Sequence, residues 1–400
     1  ALVGGVGGFV GALFHLGVDC ATNVRLAHPW ILYLLPLGGV VIALLYRLCR
    51  LEGAGTNAVI ESVHFGKKIP TLLVPLIFVS TVITHLCGGS AGREGAALQM
   101  GGTIGQCMGR TFRLDDRDLR VATLAGMAAF FSALFGTPLA ATVFAIMVIS
   151  IGVLYHVALY PSLLAALVAY GVSVRLGVEP TRFTVAVPDQ SVGMFVRVAA
   201  LGVLCALVSI LFCKLMHGAG HLMKRIKNPW LRVICGGFAV IALTWVFGTD
   251  YNGAGMDIVT RAIEQETVAV PWAFLLKLVF TAVTLAAGFK GGEVVPSFFV
   301  GATFGCAVSP LLGLPVGFGA AVGLAAVFCG VTNCPVASTL LAVELFGAEG
   351  MLYFALACCL SYMLSGYQGL YSSQTILYSK LKAQFINVHT NAYHAGEKTE

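Results

Sequence analysis

The sequence predicts an all-α integral membrane protein built from two related helical halves. Apolar residues make up 58% of the 400 residues and charged residues only 10%, whereas soluble domains carry about 25% charged residues. Apolar windows near the roughly 20 residues that cross a bilayer recur along the chain, and the longest can each hold two shorter helices. These windows are 29–46, 70–87, 121–148, 151–174, 194–213, 231–248, 270–288, 298–331 and 351–366.

The charged residues and cysteines point away from other classes of protein. The net charge is +6, but the basic residues form separate loop clusters, which fits basic cytoplasmic loops and no nucleic-acid partner. None of the 12 cysteines belongs to a Cys-x-x-Cys pair, so we expect neither a metal nor a cofactor. The apolar, Gly-rich start at Ala1 is interpreted as a trimmed chain and not as a signal peptide.

An internal repeat organises the chain. The segment Gly53-Ala54-Gly55-Thr56-Asn57 returns as GAGMD from position 253, and glycines at 88, 92, 101 and 105 return at 288, 292, 301 and 305. A third block, GMAAFFSALFGTPLAATVFAI from Gly126, returns as GLAAVFCGVTNCPVASTLLAV from Gly323. We therefore expect one transmembrane domain with a first repeat at 1–190 and a second at 191–400, which ends in a short polar tail.

Duplicated halves with Gly- and Pro-interrupted apolar segments at matching positions are typical of secondary transporters. In that design, helices stop near the middle of the bilayer. Their N-termini present free N–H groups and a positive dipole end of about half a charge. Several such ends that converge can hold an anion without a fixed cation, so the pattern predicts an anion transporter.

The segment GGSAGREGAA from Gly88 contains the most informative residue, Glu94. We expect a helix to begin near Arg93, which places the Glu94 carboxylate at a helix start inside the membrane. An intramembrane charge costs at least about 2.5–3.5 kcal/mol and indicates a functional site. Ionised Glu94 can occupy the site that an anion requires, and protonation releases it. The alternative is a structural ion pair between Glu94 and Arg93 or another basic residue.

The segment GREGAALQMGGTIGQ from Gly92 resembles the GREGP segment of the CLC family of chloride channels and antiporters. The family's GSGxP segment corresponds to 53–57, its GxFxP segment to 292–296, and its inner tyrosine to Tyr371. The resemblance implies an inverted repeat of two helical halves with broken and re-entrant helices. It also implies a homodimer with one pathway per subunit. The anion-binding residues that it implies are Ala54, Gly55, Gly92, Arg93, Val294, Val295, Asn333 and Tyr371.

Three departures from the chloride-transporting members resemble the fluoride-exporting branch of the family. Ala54 replaces the serine that gives chloride a hydroxyl, 144–148 carries no carboxylate, and Glu293 stands in the GxFxP-like segment. The resemblance implies a fluoride/proton antiporter in the bacterial inner membrane, with Glu94 and Glu293 handling protons. Ala54 does not match the larger or amide side chains of that branch, and Glu293 has the alternative role of capping a helix.

Several alternatives remain open at this point. Tyr371 can be an interfacial aromatic, Asn333 can cap a helix, and Glu344 is expected to pair with Arg93 or Lys277. The transporter can also be a chloride/proton antiporter or an uncoupled anion channel. An intramembrane serine hydrolase would use the G-x-S-x-G string around Ser90, but nothing strand-like precedes it, so we expect no enzyme.

Overall fold

The computed structural model describes residues 1–53, 55–267, 270–382 and 384–391, and this part of the chain folds into sixteen α-helices and three short strands. The helices are α1 (Leu2–Ala27), α2 (Leu35–Leu48), α3 (Thr56–Phe65), α4 (Leu73–Leu86), α5 (Glu94–Thr111), α6 (Asp116–Phe135), α7 (Pro138–Met147), α8 (Leu159–Arg175), α9 (Val192–Met223), α10 (Pro229–Phe247), α11 (Met256–Glu264), α12 (Ala273–Ala287), α13 (Val294–Leu312), α14 (Val316–Thr332), α15 (Pro335–Phe346) and α16 (Met351–Leu364). The strands are β1 (Ser150–Ile151), β2 (Thr375–Tyr378) and β3 (Phe385–His389).

The helices divide into long apolar spans and shorter segments. In the described part of the chain, seven helical stretches are long and apolar enough to cross a membrane, and they contain α1, α2, α6, α8, α9, α10 and α13. The two longest apolar windows each hold two helices, α6 with α7 and α13 with α14, as predicted. The predicted windows omit α1, because six glycines, Asp19 and Arg25 dilute its apolar character.

The helices of the first half return in the second half in the same order. Helix α5 begins at Glu94 and α13 at Val294, and the later pair α7 and α15 begins at Pro138 and Pro335. The loops before α5 and α13 run antiparallel where they meet. The inverted repeat of two helical halves is therefore confirmed. The boundary between 190 and 191 lies in the segment that joins α8 to α9 and stays a prediction.

Glycines allow the closest helix contacts in each half. A Cβ atom at Gly301 of α13 would overlap the carbonyl oxygen of Gly323 on α14. In the first half, a Cβ atom at Gly101 of α5 would overlap the carbonyl oxygen of Gly126 on α6. Backbones that approach this closely gain van der Waals contact, which matters in lipid because the hydrophobic effect does not hold membrane helices together. The repeated glycines thus allow α5 to pack closely against α6 and α13 to pack closely against α14.

A small sheet that the sequence analysis missed closes one end of the helical core. Strand β1 pairs in parallel with β2, and β2 pairs antiparallel with β3. The buried Gln374 precedes β2, and its Nε2 donates to the carbonyl oxygens of Val148 and Thr332, each at 3.0 Å. These carbonyls lie at the ends of α7 and α14. One side chain therefore joins both halves of the molecule to the segment that carries Tyr371.

The glycine contact between α13 and α14 can be tested with a single methyl group. In Gly301→Ala, the new Cβ forces the two backbones apart, and overpacking of this kind costs about 1–3 kcal/mol. We expect a clear fall in the thermal midpoint of the detergent-solubilised protein, measured by size-exclusion chromatography after heating.

The matched control is Gly171→Ala on α8, where an added Cβ meets no atom within 4 Å. At an exposed helix position, alanine stabilises the helix by about 1 kcal/mol relative to glycine, so this variant should keep or raise the thermal midpoint. Equal midpoints for both variants would contradict the packing argument.

Candidate functional site

The Glu94 carboxylate lies where the starts of two helices converge. Its side chain is fully buried. Its Oε2 accepts hydrogen bonds from the backbone N–H of Arg93 at 2.9 Å and of Val295 at 3.4 Å. Glu94 and Val295 stand in the first turns of α5 and α13, so the carboxylate faces the positive ends of two helix dipoles, one from each half. This is the placement that the sequence predicted for an anion-like side chain.

Glycines at the loop crossing make this convergence possible. The N–H of Gly92 donates to the Gly292 carbonyl oxygen at 2.8 Å, and the N–H of Gly292 donates to the Gly92 carbonyl oxygen at 2.6 Å. A Cβ atom at Gly92 would overlap Oε2 of Glu94, and one at Gly292 would overlap the backbone nitrogen of Gly95. Any larger residue would push the two helix starts apart and separate the N–H groups that the carboxylate accepts from.

Two cavities meet the chain on either side of Glu94. The smaller, of about 210 Å³, is lined by Gly95 and Glu293 among others. The larger, of about 580 Å³, is lined by Arg93 and His85 among others. Arg93 and Gly95 are the neighbours of Glu94 in the chain, and each lines a different cavity. Glu94 itself lines neither cavity and is buried, as are Val294 and Val295 at the start of α13.

Glu293 precedes α13 and lines the smaller cavity. Its carboxylate makes no hydrogen bond to the N–H groups at the start of that helix, so the alternative of a helix cap is wrong. It also forms no ion pair with any residue that the structure describes. An unpaired carboxyl group beside a cavity inside the membrane is costly and is a candidate for function.

Tyr371 lines the same cavity as Glu293. The side chain is only 2% exposed, so it is not an interfacial aromatic. Its hydroxyl has no hydrogen-bond partner among the described residues, while its carbonyl oxygen accepts from Thr390 Oγ1 at 2.6 Å and from the N–H of Gln374 at 3.0 Å. The backbone of Tyr371 is thus held by two hydrogen bonds, whereas its buried hydroxyl is left unsatisfied among the described residues.

The other residues at the sequence-predicted site fall into three positions. Gly55 lines the smaller cavity just before α3, and Ala54 lies outside the described residues. Asn333 lines neither cavity. Its amide donates to the Gln368 carbonyl oxygen at 3.0 Å and accepts from Lys380, so the geometry does not bring it to Glu94.

The expected partner of Glu344 is wrong. Its carboxylate accepts from the backbone N–H of Leu139 at 3.1 Å and of Ala140 at 2.8 Å, and it therefore caps the start of α7 across the two halves. Arg93 is bound to Asp19 instead, at 2.7 Å. Short helices inside the core leave free N–H groups, and these compete with arginine and lysine for a carboxylate.

Two intramembrane lysines were not predicted as site residues. Lys290 lines the smaller cavity, with its Nζ 4.2 Å from the centre of the Tyr46 ring. Lys277 is fully buried and donates to the carbonyl oxygens of Tyr251 at 3.1 Å and Gly253 at 2.7 Å. Lys277 lies in an apolar segment, where any ionisable residue indicates a functional site, so the sequence carried a signal for it.

The serine hydrolase alternative lacks the required contact. The Ser90 hydroxyl is paired with the Thr281 hydroxyl at 3.0 Å, and the His85 ring contacts the Gly92 carbonyl oxygen at 3.4 Å. A serine nucleophile needs a base within hydrogen-bond reach, and no such pair forms here. The Ser90 hydroxyl instead joins the loop before α5 to α12.

Comparisons with known proteins agree with this architecture. A family model described as voltage gated chloride channel matches residues 38–366. A chloride/fluoride channel protein of Pseudomonas syringae pv. tomato is 40% identical over 95% of this chain and 86% of its own length. A solved CLC-type fluoride/proton antiporter superposes with a TM-score of 0.90 at 34% identity, over 94% of this chain and 96% of its own.

A more distant structure, a slow cyanobacterial Cl⁻/H⁺ antiporter, superposes with a TM-score of 0.78 at 18% identity, over 91% of this chain and 92% of its own, and supports the fold alone. The paired helix starts, the GREG segment that carries Glu94 and the family model all lead to one assignment. This chain belongs to the voltage-gated chloride channel family, the CLC family of membrane transport proteins.

Proposed function

We propose that this protein is a fluoride/proton antiporter that exports fluoride across the bacterial inner membrane, with Glu94 as the gate. One observation carries the proposal: Oε2 of Glu94 accepts from N–H groups at the starts of α5 and α13. A fluoride ion would need the same donors. The ionised carboxylate and the anion therefore exclude each other, and protonation of Glu94 frees the donors for fluoride.

The choice of fluoride depends on side chains and on relatives. The P. syringae relative is described as a chloride/fluoride channel and the solved neighbour as a fluoride/proton antiporter. Ala54 supplies no hydroxyl for chloride, and 144–148 carries no carboxylate to take protons. Glu293 provides a carboxyl group in the smaller cavity instead. Fluoride is a compact anion that favours strong hydrogen bonds, which the Tyr371 hydroxyl and the Val295 N–H can supply.

The two glutamates have separate roles in this proposal. Glu94, whose chain neighbours line the two cavities, exchanges its proton for an anion. Glu293 lines the smaller cavity together with Tyr371, and there it receives a proton or faces an entering fluoride ion. Gly55, Gly92, Arg93, Val294 and Val295 shape the anion path through their backbone. By the family pattern the protein is a homodimer with one pathway per subunit.

Two other transport modes use the same gate. The first is a chloride/proton antiporter, which is favoured by the word chloride in the description of the P. syringae relative. The second is an uncoupled anion channel, in which the Glu94 carboxylate stays away from the N–H donors and anions pass without any exchange of protons. Both differ from the proposed function in what a fluoride gradient does to protons, so a flux assay separates all three.

Coupled flux in liposomes tests the proposed function. A fluoride gradient should drive protons uphill through the wild-type protein, and an equal chloride gradient should drive them at least about tenfold more slowly. Glu94→Gln should abolish the proton movement, because a permanently neutral side chain releases the N–H donors but carries no proton. Fluoride-selective electrodes and an internal pH dye measure the two fluxes.

Chloride that drives protons as well as fluoride does would refute the substrate assignment. Proton pumping that survives in Glu94→Gln would refute the gate. Fluoride flux in the wild-type protein without proton movement would make it a channel.

The role of Glu293 is tested by Glu293→Gln. The amide keeps the size of the side chain but cannot carry a proton, so we expect uphill proton flux to fall at least about tenfold. The matched control is Glu349→Gln, which neutralises an exposed glutamate after α15 and should keep wild-type rates. Unchanged proton coupling in Glu293→Gln would remove Glu293 from the mechanism.

A further inference from the structure

We propose that Asp19 is a positioning residue for the gate: by binding Arg93, it keeps the guanidinium from closing on the Glu94 carboxylate. Oδ1 of Asp19 accepts from Arg93 Nη1 at 2.7 Å. Oδ2 of the same carboxylate lies 2.9 Å from Nε2 of His15, one turn earlier on α1. This inference rests on the proposed role of Glu94.

Arg93 is shared unequally between two carboxylates. Its Nε lies 3.8 Å from Oε1 of Glu94, which is beyond hydrogen-bond distance, and Oε1 has no other hydrogen-bond partner among the described residues. The contact with Asp19 has the length of a strong, charge-assisted hydrogen bond. The guanidinium of Arg93 is thus bound to Asp19 on α1, while Oε1 of Glu94 remains without a hydrogen-bond partner.

Loss of Asp19 would favour the ionised form of Glu94 through two effects. It removes a negative charge from the wall of the larger cavity, where Asp19 is half exposed. It also frees Arg93, and a shift of about 1 Å would bring Nε within hydrogen-bond distance of Oε1. Both effects favour the ionised carboxylate. The gate would then be protonated only at a lower pH, and the helix starts would remain occupied.

Several ionisable groups lie on the elements around the gate. Helix α6 contributes none on its buried face, and the ionisable side chains of α3 are bonded to Lys67 and to the Ile149 carbonyl oxygen. Arg93 is the one that contacts both Asp19 and Glu94. The others around the gate are His15, Asp19 and Arg25 on α1, His85 on α4, Lys277 on α12, Glu293 before α13, and Tyr371.

The pH profile of fluoride transport tests this positioning. Liposomes with the same pH on both sides give the pH of half-maximal rate for each variant. In Asp19→Ala, this pH should fall by about one unit, because a nearby negative charge is lost and the opposite charge of Arg93 moves closer to the carboxylate. Asp19→Asn should shift it less, because its amide oxygen still accepts from Arg93. Asp19→Glu should restore the wild-type profile.

A matched control separates positioning from the general charge of the cavity. Asp250 lines the same cavity but forms no ion pair with a described residue. Asp250→Asn should move the profile by less than about a third of a unit.

The Asp19 proposal is overturned if Asp19→Ala and Asp19→Asn keep the wild-type profile or shift it to higher pH. It is also overturned if Asp19→Ala shifts the profile equally in a Glu94→Gln background. Fluoride transport by the wild-type protein without any proton movement would instead refute the proposed function.

Discussion

The structure depends on a competition for a few backbone N–H groups. The starts of α5 and α13 meet at an antiparallel crossing of Gly92 and Gly292, and the Glu94 carboxylate accepts from both. Helix ends leave such groups without intrahelical partners, and lipid offers none. These donors therefore favour an acceptor, which in this structure is the Glu94 carboxylate. In the proposed function, a transported anion takes the place of the carboxylate at these donors when Glu94 is protonated.

The rest of the molecule holds these helix ends in register. Glycine contacts such as Gly301 with Gly323 seat α13 against α14. The buried amino group of Lys277 donates to the carbonyl oxygens of Tyr251 and Gly253, which holds the loop before α11. At the other end, Gln374 joins α7 and α14 to the Tyr371 segment. Gln374 thus ties the two halves together on the side of Tyr371.

The sequence predicted the paired helix starts and the isolated charges, and it missed contacts that form only when the two halves pack together. A fixed spacing of glycines revealed the paired helix starts, and an isolated charge in an apolar segment revealed Glu94 and Glu293. The small sheet was missed because strands of two to five residues leave little periodicity. Glu344 was given the wrong partner because free N–H groups at the start of α7 are visible only once the two halves are packed. Asn333 matched the pattern of a helix start, yet its amide serves the C-terminal segment.

The most direct test of the exchange between carboxylate and anion is a count of protons taken up when fluoride binds. Titration calorimetry in two buffers of different ionisation heat gives this number for the purified protein. At a pH where Glu94 is ionised, the wild-type protein should take up about one proton per fluoride ion, and Glu94→Gln should take up none. Fluoride binding to the wild-type protein without proton uptake would contradict the account.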